Sequence, residues 1–171
     1  MNTNTIEWKQ LSSLEKVFMH SAPEADEFTA LSVLRNESFS YQIAYFKKSP
    51  MKCPLRITIE SKLKKHITIR RALHVPVQLP LRADNCDDDY LMREPGLAPD
   101  VLVPIELENT QLIGERWESF WITVDLNGYE SAGNYDITII FEFTENNSKH
   151  SIAKTLAVDV IDALLPSQSL K

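Results

Sequence analysis

The chain has 171 residues, of which 43% are hydrophobic and 25% charged, with only 4 glycines, a profile that suits one globular domain with a buried core and excludes collagenous, low-complexity and disordered classes. Eighteen Lys plus Arg against 24 Asp plus Glu give a net charge of -6, so the basic surface that a nucleic acid or an anionic membrane would need is missing. Cys53 and Cys86 are too few for a disulfide framework and lie outside any CxxC or zinc-ligand spacing, so reduced thiols are expected. The N-terminus has no basic stretch leading into an apolar run, and no segment reaches the roughly 20 apolar residues of a membrane span. A cytoplasmic protein is expected, with secretion left open if a leader is removed.

Period-2 alternation, the mark of a half-buried strand, dominates the chain. Its first instance sets Phe39, Tyr41, Ile43 and Tyr45 against Ser38, Ser40, Gln42 and Ala44. Leu55, Ile57 and Ile59 follow, then Ile67 and Ile69, then Val75, Val77, Leu79 and Leu81 with Pro76 and Pro80 on the opposite face. Prolines cannot donate to a ladder, so this last stretch is expected at an edge or in a polyproline-like strand. Residues 82–114 are rich in Pro and Asp and weakly periodic, which predicts a long central loop with one short strand at most. Alternation resumes at Phe120, Ile122, Val124 and Leu126. Ile137, Ile139, Phe141 and Phe143 then precede the turn-rich run 144–149, and Leu156, Val158 and Val160 return as the second arm of a hairpin. Ser12 to Glu15 has the look of a helix start, but no 3.6-residue period follows it. Seven or more short strands with almost no helix predict an all-β fold: a two-sheet antiparallel, immunoglobulin-like β-sandwich over residues 1–163. Residues 164–171 are expected to begin a linker.

The chain offers few groupings that carry chemistry. Asp26 and Glu27 could form an acid–base pair, but their polar setting predicts a solvated turn. Asp84, Asp87, Asp88 and Asp89 could offer oxygens to calcium, yet the run lacks the spaced ligands, the central Gly and the distal Glu of a calcium loop. His20, His66, His74 and His150 are scattered, and neither a zinc set nor a base beside a nucleophile emerges. The glycines at 96, 114, 128 and 133 form no phosphate loop or dinucleotide fingerprint. Asn36 and Asn146 stand in glycosylation sequons, a pattern frequent by chance. Trp8, Trp117 and Trp121 could serve as a sugar-stacking platform; core packing is expected for Trp8, while Trp121, on the face opposite Phe120 and Ile122, is either exposed or covered by the long loop. No catalytic, cofactor-binding or metal residue is assigned.

Several segments are also similar to a known family. Arg35-Asn36-Glu37-Ser38-Phe39-Ser40-Tyr41-Gln42 resembles the Arg-Asn-Glu-x-x-Ser-Phe-Gln signature of the N-terminal β-sandwich domain of glycoside hydrolase family 123, with Tyr41 in place of Phe. Trp8 with Leu14-Glu15-Lys16-Val17-Phe18 resembles that domain's opening segment, and Pro99-Asp100-Val101-Leu102-Val103-Pro104 its Pro-Asp-x-Leu-x-Pro loop. Phe120 to Val124 and Ala132-Gly133-Asn134-Tyr135 resemble its Trp-x-x-Val strand and Ala-Gly-x-Tyr turn, although the proline usual before that turn is missing. At position 133 a glycine permits positive φ, and Tyr135 is placed to bond back to the loop as a tyrosine corner does.

The resemblance implies an accessory domain whose partner is a C-terminal (β/α)8 barrel of the same polypeptide. In family members an Asp-Glu pair on that barrel carries substrate-assisted hydrolysis of β-N-acetylgalactosaminides. Asp26 and Glu27 precede the Arg-Asn-Glu signature and do not correspond to that pair, so this chain is not expected to be an enzyme by itself. The alternative reading is an independent carbohydrate-binding or adhesive module that uses exposed tryptophan, with glycan as its partner. An autonomous hydrolase is the weakest reading, because no nucleophile, base and orienting group can be assembled.

Overall fold

The structure, a computed structural model, describes residues 6–78, 92–127, 130–145 and 147–166. It contains ten strands: β1 (Ile6–Ser12), β2 (Ala30–Arg35), β3 (Ser38–Lys47), β4 (Cys53–Glu60), β5 (Ile67–Val77), β6 (Gly96–Pro104), β7 (Thr110–Leu112), β8 (Trp117–Asp125), β9 (Gly133–Glu145) and β10 (Ser148–Leu164). A single 3-10 turn at Lys64–His66 is the one helical element among the described residues, and no helix is long and apolar enough to cross a membrane. The strands form two five-stranded sheets, ordered β1-β3-β8-β5-β6 and β2-β10-β9-β4-β7.

Alternation explains how the sheets meet. Tyr41, Ile43 and Tyr45 of β3 and Phe120, Ile122 and Val124 of β8 point inward from one sheet, while Leu55, Ile57, Ile139, Phe141, Leu156 and Val158 point inward from the other. Together they form one buried cluster, so burial of two apolar faces against each other drives the fold. Trp8 completes it, with its ring centroid 4.6 Å from Phe141 and 5.4 Å from Tyr45.

The hairpin read from the sequence is present, β9 pairing with β10 from Glu145↔Ser148 to Gly133↔Val160. Three features differ from expectation. The two stretches 67–70 and 75–81 belong, as far as Val77, to one strand, β5, broken only by an irregularity between Leu73 and His74. Its second half pairs with β6 alone, so Pro76 leaves no ladder on its other side wanting a donor, in keeping with the edge position expected for proline. The described part of the central segment holds more strand than expected: β6 and β7 lie within it, and Pro99 and Pro104 hide β6 from the alternation because it is an edge strand where proline is tolerated. Residues 79–91 are outside those described. Finally, pairing is not antiparallel throughout, since β2 runs parallel to β10 from Ala30↔Ala157 to Val33↔Val160.

Between β1 and β2 the chain crosses the outer face of the first sheet. Leu11 and Val17 bury themselves there against Ala44 and Trp117 as a second, smaller apolar cluster. Three hydrogen-bond anchors hold this strap: Gln42 Nε2 donates to Ser12 O (3.1 Å) and Glu15 O (2.7 Å), Trp117 N to Met19 O (2.9 Å), and His74 Nε2 meets Val17 O (2.9 Å).

Candidate functional site

The strap walls a recess on the outer face. Trp121 projects from the middle of β8, opposite Gln42 on β3 and Arg70 on β5. Beside it lies a cleft of about 110 Å³, walled by Glu15, Lys16 and Val17 of the strap, Gln42, Ala72, and Pro99, Asp100 and Leu102 of β6. Gln42 is buried and its amide protons are engaged by the strap, so the cleft has a fixed back wall. Lys16 and Asp100 are exposed at the rim. Among the described residues Glu15, Lys16, Arg70 and Asp100 make no ion pair. Four of the segments that carry the family resemblance converge here: the opening segment through Glu15 to Val17, the Arg-Asn-Glu signature through Gln42, the Pro-Asp loop, and the Trp-x-x-Val strand through Trp121.

The other residues of interest are structural. Trp8 is half-buried and packs against the main core, and Trp117 is buried in the second cluster, its ring 5.7 Å from Phe46. Asp26 is exposed, and Glu27 pairs at the surface with Lys154, which separates them from any acid–base arrangement. His66 Nε2 lies 2.5 Å from Glu130 Oε1, His150 stacks on Phe143 at 5.2 Å, and His20 is exposed, so no two of the histidines share a site with a nucleophile. Cys53 is buried and free, and burial pushes its thiol pKa up, the opposite of what a nucleophilic cysteine needs. Asp84, Cys86, Asp87, Asp88, Asp89, Gly128 and Asn146 lie outside the described residues. No group of three or more His, Cys, Asp or Glu among the described residues could hold a metal.

The Arg-Asn-Glu signature turns out to organise a junction. Asn36 takes a left-handed φ of 65° in the turn between β2 and β3, and its Nδ2 donates to Leu165 O at 3.1 Å. Arg35 pairs with Asp162 at 3.2 Å, Leu165 N donates to Arg35 O at 2.8 Å, and Glu37 Oε2 accepts from Leu34 N at 2.7 Å. These contacts tie the turn to the end of β10. A buried ionic knot, not evident from the sequence, lies between the sheets. Glu118 Oε2 accepts from Tyr45 Oη (3.0 Å) and Arg71 Nη1 (3.1 Å), its Oε1 accepts from Arg116 Nε (2.8 Å), and Arg71 also lies 5.3 Å from the centroid of Phe120. Each charged group in it faces an opposite charge, the Glu118 carboxylate shared between two guanidiniums, which makes it a clamp between strands rather than a reactive group. The one sequence signal for it is a glutamate at a position where β8 alternation calls for an apolar residue.

No protein-family model matches the sequence and no curated protein matches it. Among solved structures the fold is similar to part of a family 123 glycoside hydrolase from Clostridium perfringens, with a TM-score of 0.69 and 12% identity over 95% of this chain and 28% of that chain. It is also similar to a PapD-like domain of human CEP192 (TM-score 0.46, 9% identity, 93% of this chain and 87% of that one) and to the major pilin subunit BcpA of Bacillus cereus (TM-score 0.41, 12% identity, 91% and 40%). The chain spans less than a third of the length of the glycoside hydrolase it matches. At such identities the likeness is one of fold.

Proposed function

We propose that this chain is the noncatalytic β-sandwich domain of a family-123-like glycoside hydrolase, which packs against and stabilises a (β/α)8 catalytic barrel. The observation that carries the reading is the agreement of two independent signals: an ordered series of sequence motifs, and a fold that overlays 95% of this chain on part of a family 123 enzyme. The structural work of the motifs fits an accessory role, since Arg35 and Asn36 fasten the end of β10, through which such a domain would hand over to its partner. The domain boundary near residue 163 and residence in the cytoplasm belong to the same reading. So does an immunoglobulin-like topology: β1, β3, β8 and β5 follow the order A-B-E-D, and β10, β9 and β4 follow G-F-C, with Tyr135 opening β9 as a tyrosine corner whose Oη donates to Ser131 O at 2.7 Å.

A domain that evolved against a partner keeps apolar surface when alone. Leu73, Leu97, Val101 and Leu102 are exposed on β5 and β6, and Ile161, Leu164 and Leu165 at the end of β10. The isolated domain is therefore expected to self-associate as its concentration rises in sedimentation experiments, and to bind an apolar-surface dye. A strictly monomeric species at high concentration, with no dye binding, contradicts the proposal.

A further inference from the structure

The Trp121 cleft is more than a gap in packing, and we infer that it is a binding subsite for one neutral pyranose ring, such as a hexose or an N-acetylhexosamine residue. This inference goes beyond the accessory role.

Four features point to a sugar. A pyranose has an apolar face of C–H groups and a polar equator of hydroxyls, and it is held by an indole face plus hydrogen bonds from charged or amide side chains. Trp121 and Trp8 are both half-buried, but the Trp8 ring packs against Tyr45, Phe141 and Phe143 of the main core and Trp117 is buried in the second cluster, which leaves Trp121 as the indole that lines the strap cleft. Around it stand Glu15, Lys16 and Asp100, with Arg70 as the direct neighbour of Trp121 on β5, so hydroxyl acceptors and donors are both at hand and none is committed to another ion pair. Among the lining residues the carboxylates of Glu15 and Asp100 outnumber the single cation Lys16, so the cleft has no positive charge with which to favour a uronic or sialic acid over a neutral ring. The walls come from a strap fastened by Gln42 and from a β6 segment next to an irregularity in pairing, so the recess is formed before any ligand arrives. At about 110 Å³ the recess takes part of one ring and leaves the rest in solvent, with no room for a chain of sugars.

The test uses the whole chain and a panel of glucose, galactose, mannose, N-acetylglucosamine and N-acetylgalactosamine, with glucuronic and N-acetylneuraminic acids as charged counterparts. Intrinsic fluorescence and the indole N–H resonances are followed during titration; the two core tryptophans act as internal controls. A neutral sugar is expected to move the Trp121 resonance and alter the emission, while the signals of Trp8 and Trp117 stay in place. Trp121→Ala should weaken that binding about tenfold or more, the loss of one stacking contact plus its buried area. Asp100→Asn, a substitution at an exposed rim position, should weaken it without changing thermal stability, which keeps the proposal testable should Trp121→Ala fold poorly. If no sugar in the panel moves Trp121, if only the acidic sugars do, or if binding persists in Trp121→Ala, the proposal is overturned.

Discussion

Tyr41 is fully buried in the main core, and its hydroxyl has no hydrogen-bond partner among the described residues. A buried, unsatisfied hydroxyl costs stability, and the resembling family signature has Phe in this place. Tyr41→Phe is expected to raise unfolding free energy by about 1 kcal/mol in urea titrations. Tyr45 is equally buried but donates to Glu118, so Tyr45→Phe should destabilise by a similar amount. Burial raises both phenol pKa values well above the ordinary 10.0. A raised folded value means that the stabilisation is complete below pH 10.0 and is lost as pH climbs toward the folded values, because only the unfolded chain then releases the protons. Stability should fall above pH 10.0 by about 1.4 kcal/mol per pH unit for each of the two. Tyr41→Phe should reduce the slope by about 1.4 kcal/mol per pH unit; an unchanged slope would contradict the burial of its hydroxyl. Glycines separate in the same way. Gly133 has φ of 140° and open space around it, so Gly133→Ala should cost about 1–3 kcal/mol from backbone strain alone. At Gly114 an added Cβ would lie 1.7 Å from Ser49 O, so Gly114→Ala should be the more damaging of the two in thermal unfolding.

Strands with clean alternation could be read directly, and β3, β4, β8, β9 and β10 stand where their apolar periods lie. The turn glycine and Tyr135 were legible too, because positive φ and a hydroxyl beside a loop are local properties. What stayed hidden depends on contacts distant in sequence. β6 carries two prolines and becomes a strand because β5 offers it a ladder at the sheet edge. The parallel pairing of β2 with β10 joins residues more than a hundred positions apart, and nothing in Ala30 to Arg35 announces its direction. The Trp121 cleft was half legible: alternation put Trp121 on the outer face, but the strap that walls it is set by the amide of Gln42. Gln42→Ala should release the strap, seen as faster amide exchange at residues 13–19 while the β3–β8 ladder stays protected. The Glu118 knot ties β3, β5 and β8 together across the core. Glu118→Gln leaves the Arg71 charge buried with weakened compensation and is expected to cost about 3–5 kcal/mol in chemical unfolding.

At the scale of the whole molecule, the two inner faces merge into one core, while the outer face of the first sheet carries the strap with Leu97 and Leu102 of β6 beside it. Its fold overlays only 28% of the hydrolase it resembles. The accessory role proposed above therefore depends on what the domain is joined to. The most direct measurement is the size and activity of the native protein captured from its source cells with an antibody against this domain. A single polypeptide far larger than 19.6 kDa that hydrolyses a chromogenic β-N-acetylgalactosaminide is the expected result. A polypeptide close to 19.6 kDa, with no hydrolytic activity in the captured material, would contradict it.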